Sequence, residues 1–297
     1  MTHRGAIGGT IGGLAVGDAA PVRVMGVLNV SPESFYKGSV AADADDLARR
    51  AERMAAEGAD LLDLGAMSTA PFLDGAVSAE EEADRLARAV AVVRRAVALP
   101  ISVDTQRVLP ARVALEAGAR IVNDVSGLRD DPGLAGLVAA AGADLVVVAR
   151  DLPPGRRPPI GRVVTRLRSS LRRAAAAGID PRRVCVDPGI GFTTRAELPA
   201  GAWNLVLLGQ LAGLRRLGVP VLVGVSRKRF IGTLLGGRRP EDRLFGSLAA
   251  AAVAVCNGAH VVRTHDVGPT LDAVRVASAI RGAGGRPARR DAEPLGG

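Results

Sequence analysis

The sequence predicts a single α/β domain folded as a closed (β/α)8 barrel, on three observations. Eight short apolar runs end abruptly in a polar residue, as Val184-Cys185-Val186 does at Asp187. Helical segments lie between these runs, and many stop at a glycine, as at Gly58 and Gly258. An uninterrupted alternation of this kind favours a closed barrel over an open doubly wound sheet. At 297 residues and 48% hydrophobic content, the chain is long enough to bury such a core.

Each predicted strand is a short buried-type run with a polar group at or just beyond its carboxyl end. In chain order these runs start at Val24, Leu61, Ile101, Ile121, Leu145, Val184, Val221 and Val261. In a parallel barrel the carboxyl ends of all strands meet at one mouth, where such folds place their chemistry. The polar strand ends are therefore expected to converge.

The predicted helices begin at capping residues and end at glycine. The segment from Ser78 to Ala98 starts with the capping-box spacing Ser78 to Glu81 and has basic residues near its end. The glycine that follows many helices is expected to adopt the left-handed conformation that ends a helix. The other predicted helices span 43–57, 107–117, 134–141, 163–177, 203–217, 242–257 and 269–280.

Composition limits the classes of partner. The net charge is +9 and comes almost entirely from arginine, since lysine occurs only at Lys37 and Lys228. We interpret this charge mainly as solvated helix faces, with a contribution that attracts an anionic small substrate. Because only 2% of residues are aromatic, base stacking has little support, and no nucleic-acid partner is expected.

The termini and cysteines complete the domain interpretation. Residues 1–20 are expected to form a flexible arm or small hairpin covering the barrel bottom, residues 21–281 the barrel, and residues 282–297 a disordered tail. No apolar stretch approaches a membrane span, and the N-terminus does not resemble a secretory signal. Cys185 and Cys256 lie in apolar runs and are expected to be buried free thiols. A cytoplasmic protein without a membrane partner is expected.

The predicted mouth collects side chains with two kinds of chemistry. Its carboxylates and carboxamides suit a nitrogen-rich heterocycle, because their oxygens accept from ring NH and NH2 groups. Its basic residues, which include Arg227, suit an anion such as phosphate. The polar residues at the mouth are Asn29, Asp63, Asp104, Asn123, Asp124, Asp187, Lys228, Arg263 and His265.

Simpler interpretations remain open for single residues. An aspartate at a strand end is about as often a helix N-cap as a ligand contact. Asp63 and Asp124 are open to a structural role in which they bond neighbouring loop amides. His260 is expected to be a partly exposed residue of the barrel bottom.

Several longer segments resemble the signatures of the dihydropteroate synthase family. The run from Met25 to Phe35 is similar to the first signature, and Asp63 to Pro71 is similar to the second. The matches occur in family order and cover about residues 22 to 280. The remaining matches are Ser102-Val103-Asp104-Thr105, Ile121 to Gly127, Asp187-Pro188-Gly189-Ile190-Gly191-Phe192 with Asn204 beyond it, Gly224 to Gly232, and Arg263-Thr264-His265-Asp266-Val267.

This resemblance implies a transferase of folate or related pterin biosynthesis, in which an arylamine, normally 4-aminobenzoate, displaces the diphosphate of 6-hydroxymethyl-7,8-dihydropterin. It implies a homodimer, and Mg²⁺ ligated by Asn29. The pterin ring would be held by Asp104, Asn123, Asp187 and Lys228, and the diphosphate by Arg263 and His265. The catalytic residues would be Asp104, Lys228, Arg263 and His265. The arylamine pocket would be framed by Phe35, Thr69, Pro71, Phe192 and Ser226.

Three segments depart from the family pattern. Ala70 stands where the second loop normally has arginine, Val148-Ala149-Arg150 replaces Met-His-Met, and Tyr36-Lys37 follows Phe35 where the family has Ser-Asp. These changes keep a variant acceptor open, such as a ribosylated aminobenzene. They also keep open a non-catalytic pterin-binding paralogue and a pterin-dependent methyltransferase. The methyltransferase would not need the intact set of anion-binding residues.

Overall fold

The protein is described by a computed structural model that covers residues 6–30, 41, 43–67, 77–150, 152, 158–192 and 202–284. Eight parallel strands form a nearly closed barrel with helices between them, which confirms the predicted (β/α)8 fold. The barrel strands are β3 (Arg23–Asn29), β4 (Leu61–Gly65), β5 (Ile101–Asp104), β6 (Ile121–Asp124), β7 (Asp144–Val148), β8 (Val184–Asp187), β9 (Leu222–Gly224) and β10 (Val261–Thr264).

The sheet runs in the order β8-β7-β6-β5-β4-β3-β10-β9, so its two ends meet between β8 and β9. Seven of the eight neighbouring pairs form regular parallel ladders. The β8–β9 junction is weaker. A single bridge joins Val186 to Val221 there, and the Val186 N–H donates to the Pro220 carbonyl at 2.9 Å.

The helices alternate with the strands as expected. They are α1 (Ala44–Ala56), α2 (Ala79–Ala96), α3 (Val108–Glu116), α4 (Leu134–Ala140), α5 (Pro159–Ala176), α6 (Ala202–Gly209), α7 (Arg229–Leu234), α8 (Leu244–Cys256) and α9 (Val267–Gly284). Asp43 caps α1 and Ser78 caps α2, each accepting from the backbone N–H three residues on. The glycines at 58, 118, 142 and 258 all have positive φ, which confirms their predicted role in ending helices.

Three helices differ from the sequence prediction, and one was missed. The last helix, predicted at 269–280, starts two residues earlier and ends four residues later as α9, so residues 282–284, which were expected to begin a disordered tail, are helical. The predicted helix 203–217 is split into α6 and a 3-10 helix, Leu211–Leu217. α5 starts four residues earlier than predicted, because Pro159 fits the first turn of a helix, where no backbone N–H is needed. The short helix α7 follows Lys228 directly and has only six residues, too few for a recognisable helical period.

Side chains alternate between two apolar layers. Outward-facing residues such as Leu62, Val122 and Val262 pack against the helices in one large core. Inward-facing residues form a smaller layer that fills the lower part of the barrel. That layer contains Met25, Leu61, Ile121, Val146, Cys185, Leu222 and Val261, together with Ile11 and Val16 from the N-terminal segment.

An N-terminal hairpin covers the bottom of the barrel. β1 (Gly8–Ile11) pairs antiparallel with β2 (Leu14–Gly17). At the turn, the Gly12 N–H donates to Asp144 Oδ2 at 2.6 Å, and Arg183 Nε donates to Asp144 Oδ1 at 2.7 Å. The buried Asp144 carboxylate therefore has donors on both oxygens.

Two predictions about single residues were wrong. His260 lies at the barrel bottom but is buried, since its Nδ1 accepts from the Val221 N–H and its Nε2 faces Asp18 Oδ1 at 3.4 Å. Cys185 is buried as expected, but Cys256 is exposed at the end of α8. The apolar run around Cys256 packs only one side of its helix against the core. Within the described part of the chain, no helix is both long and apolar enough to span a bilayer.

Candidate active site

Five barrel strands bring polar side chains together above the inward apolar layer. We call this group the mouth cluster: Asp63 from β4, Asp104 from β5, Asn123 from β6, Asp187 from β8, Arg263 from β10, and Lys228, which follows β9. Gly65, Asp104 and Asn123 are neighbours across the ladders, so the upper ring of the cluster follows directly from strand register. The sequence-predicted convergence of these residues is confirmed.

Arg263 holds the carboxylate side of the mouth cluster together. Its Nε donates to Asp63 Oδ2 at 2.6 Å, and its Nη2 donates to Asp104 Oδ2 at 3.1 Å. Burial opposes the charge on Arg263, but the facing carboxylates outweigh that effect and raise its pKa. Arg263 is therefore a permanent cation shared by two acids.

Three buried acceptor oxygens of the mouth cluster lack a donor among the described residues: Asp63 Oδ1, Asp104 Oδ1 and Asn123 Oδ1. A buried polar atom left unsatisfied costs free energy unless a ligand or water pairs with it. Burial raises the pKa of Asp104 to about 7, with Arg263 opposing the shift and Asp63 adding to it. The cluster therefore presents buried acceptor oxygens for which the described residues supply no donor.

Asp187 and Lys228 face each other on the opposite side of the mouth. Asp187 Oδ1 accepts from the Gly189 N–H at 2.7 Å, and burial raises its pKa against the attraction of Lys228. Burial lowers the pKa of Lys228 to about 8, which Asp187 partly counteracts. Lys228 Nζ donates to the Ile190 carbonyl and lies 4.7 Å from the centre of the Phe192 ring.

The loop after β8 is shaped around this lysine. Gly191 has φ of +86°, and a Cβ placed there would approach Lys228 Cδ to 2.7 Å, so both its conformation and its closeness require glycine. Asn204 on α6 accepts from the Gly191 N–H at 2.8 Å. The Gly191 backbone, held by Asn204, therefore packs directly against the aliphatic part of the Lys228 side chain.

Ser226 and His265 form the third part of the site. Ser226 Oγ accepts from the His265 backbone N–H at 3.2 Å and lies 2.9 Å from His265 Nδ1. Burial lowers the pKa of His265 to about 3, and the nearby cations Arg263, Arg227 and Lys228 add to the effect. The imidazole is neutral near pH 7 and can act as a hydrogen-bonding group rather than a cation.

Arg227 does not serve the anion-binding role that the sequence suggested. Its guanidinium makes a bidentate pair with Asp266, at 2.9 and 2.7 Å, and its Nη1 donates to the carbonyls of Pro240 and Glu241. Its φ of 55° places its backbone in the left-handed region, which is uncommon for a residue other than glycine. The residue is buried and fixes the loops after β9 and β10 to each other.

The two aspartates that the sequence left open have different roles. Asp124 accepts from the backbone N–H groups of Ser126 and Leu128, as the structural interpretation predicted. Asp63 was wrongly grouped with it, because its bonds go to Arg263 and Asn123. The alternation of side chains along a strand could have separated them. Asp63 lies two residues after inward-facing Leu61 and so faces inward, whereas Asp124 lies three residues after inward-facing Ile121 and so faces outward.

The segments that depart from the family pattern are only partly described. Val148 is buried beside Asp187 in the β7–β8 register. Arg150 Nη1 donates to Gln106 Oε1 at 3.3 Å, at the rim near β5. Ala70 and Tyr36-Lys37 lie outside the described residues, as do three residues predicted for the arylamine pocket: Phe35, Thr69 and Pro71.

Asn29 ends β3 at the same rim. A Cβ placed on Gly65 would lie 3.2 Å from Asn29 Oδ1, and 3.9 Å from the Asp104 Cβ, so the amide oxygen lies above Gly65 on the mouth side. Within the described ranges, no group of three or more His, Cys, Asp or Glu side chains could hold a metal ion.

Comparison with known proteins identifies the family. The model of the pterin binding enzyme family matches residues 25–265. The dihydropteroate synthase of Mycobacterium leprae is 41% identical over an alignment covering 89% of this chain and 95% of that protein.

Solved structures show the same likeness. The Xanthomonas albilineans dihydropteroate synthase with 4-aminobenzoic acid is 39% identical with a TM-score of 0.82, covering 93% of this chain and 99% of that one. The Coxiella burnetii dihydropteroate synthase in complex with pteroic acid is 34% identical with a TM-score of 0.82, covering 93% and 99%. The alignments span nearly the whole barrel, and the chain belongs to the dihydropteroate synthase family of pterin binding enzymes.

Proposed function

We propose that this chain catalyses the dihydropteroate synthase reaction. In this reaction, the bond between the pterin methylene carbon and the diphosphate oxygen breaks. A bond from that carbon to an arylamine nitrogen forms, and the nitrogen loses a proton. The observation that carries the proposal is the mouth cluster, where buried acceptor oxygens that find no donor in the described part of the chain lie beside the cations Arg263 and Lys228.

The acceptor oxygens suit the pterin ring. A reduced pterin presents an amino group and ring N–H groups along one edge, and these need acceptors in a site closed to water. Asp104 and Asn123 each offer one such oxygen, and Asp187 lies across the mouth with Lys228. Lys228 in turn is a donor for ring carbonyl or nitrogen acceptors. Replacing water with these fixed groups orients the methylene carbon for attack.

The leaving diphosphate would be held by Arg263 and His265. Arg263 provides the charge, and the neutral His265 provides an N–H donor. Ser226 Oγ accepts the His265 backbone N–H and lies 2.9 Å from His265 Nδ1. We assign the serine hydroxyl as the donor in this second contact, an assignment that leaves the imidazole proton on Nε2. Donors fixed before the reaction stabilise the anion as it departs.

We further propose that Asn29 holds Mg²⁺ together with the diphosphate. Mg²⁺ usually binds one or two protein oxygens, substrate phosphates and waters rather than a full protein cage. One amide oxygen at the rim, without a cluster of acidic ligands in the described residues, fits a metal that arrives with its substrate. When bound, the ion would neutralise negative charge on the diphosphate.

The arylamine is proposed to bind on the side of Phe192 and Ser226. The family likeness to a structure with 4-aminobenzoic acid supports this class of acceptor. The substitution at Ala70 in the second loop keeps a different arylamine open.

We also propose a homodimer in the cytoplasm. Large apolar side chains are exposed on α8 and α9, namely Phe245, Val253, Val276 and Ile280, with Phe245 77% exposed. Such a patch on two packed helices is typical of a subunit interface. Two cysteines without a disulfide suit a reducing compartment.

One assay tests the function. The protein is incubated with 6-hydroxymethyl-7,8-dihydropterin diphosphate, Mg²⁺ and a panel of arylamines, and diphosphate release is followed. Release that depends on 4-aminobenzoate supports the proposal, and release only with a ribosylated arylamine would shift the acceptor. Tight binding of the pterin diphosphate without release would instead support the non-catalytic paralogue that the changed loop segments left open in the sequence.

A further inference from the structure

We propose that Asp63 is a positioning residue of this site. It sets which end of the Asn123 amide faces the mouth, and it anchors Arg263 above the same acceptors. The inference rests on the proposed function, because it names what orients two of the proposed substrate contacts.

The Asn123 amide has two chemically different ends, and Asp63 selects between them. Asn123 Nδ2 donates to Asp63 Oδ2 at 3.1 Å. An ionised carboxylate only accepts, so the opposite amide orientation would set two acceptors against each other. With the NH2 end committed, the Oδ1 end is the one that has no partner among the described residues. Asp63 therefore makes Asn123 an acceptor, which selects for ligands that donate.

The same Asp63 oxygen fixes Arg263. Oδ2 accepts from Arg263 Nε at 2.6 Å, while Asp104 takes the Nη2 group. These two carboxylates hold one edge of the planar guanidinium, which removes rotation about its long side chain. One buried atom thus orders both an uncharged pterin contact and a charged diphosphate contact.

Asp63 acts through its neighbours and not by touching the substrate. Its side chain has 0% exposure, whereas Arg263 is 21% and Asp104 13% exposed. It lies below Gly65 on the same inward face of β4, one step deeper in the barrel. A ligand in the mouth meets Asn123 and Arg263 before it could reach Asp63.

The first test is the binding of a pterin that lacks the diphosphate, measured by isothermal titration calorimetry. Asp63→Leu keeps the side-chain size but removes the acceptor, so the Asn123 amide is free to turn. We expect binding to weaken by on the order of tenfold to a hundredfold, the usual cost of a misdirected buried hydrogen bond. Asp63→Asn keeps one oxygen that can accept, so its loss should be about threefold or less.

A double-mutant cycle with Asn123→Ala separates positioning from general destabilisation. If Asp63 acts through the Asn123 amide, Asp63→Leu should weaken pterin binding by less than about threefold once that amide is absent. Full additivity of the two substitutions would overturn the proposal. Equal binding by the wild type and Asp63→Leu would overturn it too.

Asp144→Leu is the matched control. It removes another inward-facing, buried carboxylate that pairs with an arginine, but at the opposite end of the barrel. It should lower the melting temperature and leave pterin binding and its coupling to Asn123→Ala unchanged. If Asp63→Leu does not unfold cooperatively, Asp63→Ser replaces it, because a hydroxyl both donates and accepts and so fixes neither amide orientation. If the wild type itself binds no pterin, it is the proposed function that fails.

Discussion

The two ends of this barrel both bury carboxylates beside an arginine, but they differ in how many of the carboxylate oxygens have hydrogen-bond donors. At the bottom, Asp144 receives Arg183 and the Gly12 N–H on its two oxygens, and the hairpin covers the pair. At the mouth, Asp63 and Asp104 share one arginine, and each keeps an oxygen without a donor in the described chain. Both ends bury carboxylates beside arginine, so burial and charge alone do not distinguish them. The bottom is saturated by the protein, whereas the upper oxygens of the mouth, Asp104 Oδ1 and Asn123 Oδ1, are left for a ligand to pair with.

This difference predicts which substitutions affect ligand binding and which affect stability. Buried polar groups without hydrogen-bond partners lower the stability of the protein. This cost is tolerated at a binding site, where hydrogen bonds to the ligand offset it. Changes at the mouth should therefore reduce binding and turnover more than stability. Changes at the bottom should reduce stability and leave the kinetics alone.

Lys228→Ala should have the largest effect. It removes the buried cation opposite Asp187 and a donor fixed by the β8 loop. Turnover of the pterin diphosphate should fall by on the order of 10²–10³, the usual loss for one fixed donor. Steady-state diphosphate release measures this. A variant with unchanged pterin affinity and rate would remove Lys228 from the site.

The pH dependence of pterin affinity should follow Asp104. Its pKa is raised to about 7 by burial, with Arg263 lowering it and Asp63 raising it. Both oxygens of Asp104 can accept only when the carboxylate is ionised. Because the ionised fraction falls about tenfold for each pH unit below the pKa, pterin affinity should fall by the same factor below pH 7. Titration calorimetry between pH 5.5 and 7.5 measures the midpoint, and Asp104→Asn should abolish the fall in affinity below pH 7.

Stability should respond to the same group with the opposite sign. The folded protein holds the Asp104 proton up to about pH 7, whereas the unfolded chain releases it near the ordinary value of 3.8. The folded state thus binds more protons between these values, and stability from this group declines as pH rises through that window. A rise in stability from pH 4 to 7 that Asp104→Asn removes would contradict the assignment.

Asp144→Asn should change stability and not activity. The change weakens a buried charge-assisted bond with Arg183, so unfolding should become easier by about 1–3 kcal/mol. Urea unfolding gives the free energy, and diphosphate release should stay within about twofold of the wild type, because the charge lost lies outside the mouth. A large kinetic loss would mean that the two ends are coupled.

Asp18→Asn should have the smallest effect. Asp18 accepts from the Ile7 N–H and forms a bidentate pair with Arg215, and this pair lowers the pKa of Asp18 well below its usual range. Because both side chains are partly exposed, we expect a loss of only about 0.5–1 kcal/mol, again by urea unfolding. The loss should shrink as the pH falls and the native carboxylate becomes protonated.

The sequence predicted the barrel well because strand ends and helix ends are local signals. A β-branched run followed by aspartate, or a helix followed by glycine, needs no knowledge of distant residues. The same signals placed the mouth cluster, since parallel strands bring their carboxyl ends together.

The partners of individual side chains could not be predicted. Arg227 and Arg263 look equivalent as basic residues near strand ends, yet one is committed to Asp266 and the other to Asp63 and Asp104. Asp63 and Arg263 are 200 residues apart in the chain, and only the closed ring of strands brings them into contact. His260 was misjudged for the same reason, because the hairpin residue Asp18 lies 242 positions away.

The single bridge between β8 and β9 gives the ring of strands one weak joint. Backbone amides at this joint have fewer neighbours to hold them, so opening motions of the native barrel should begin there and spread last to β3 and β4. Asp187 and Lys228 stand on the two sides of that joint. A ligand that contacts both residues would link β8 to β9 at the mouth. The backbone amides at this junction should then open less often in the bound protein than in the free one.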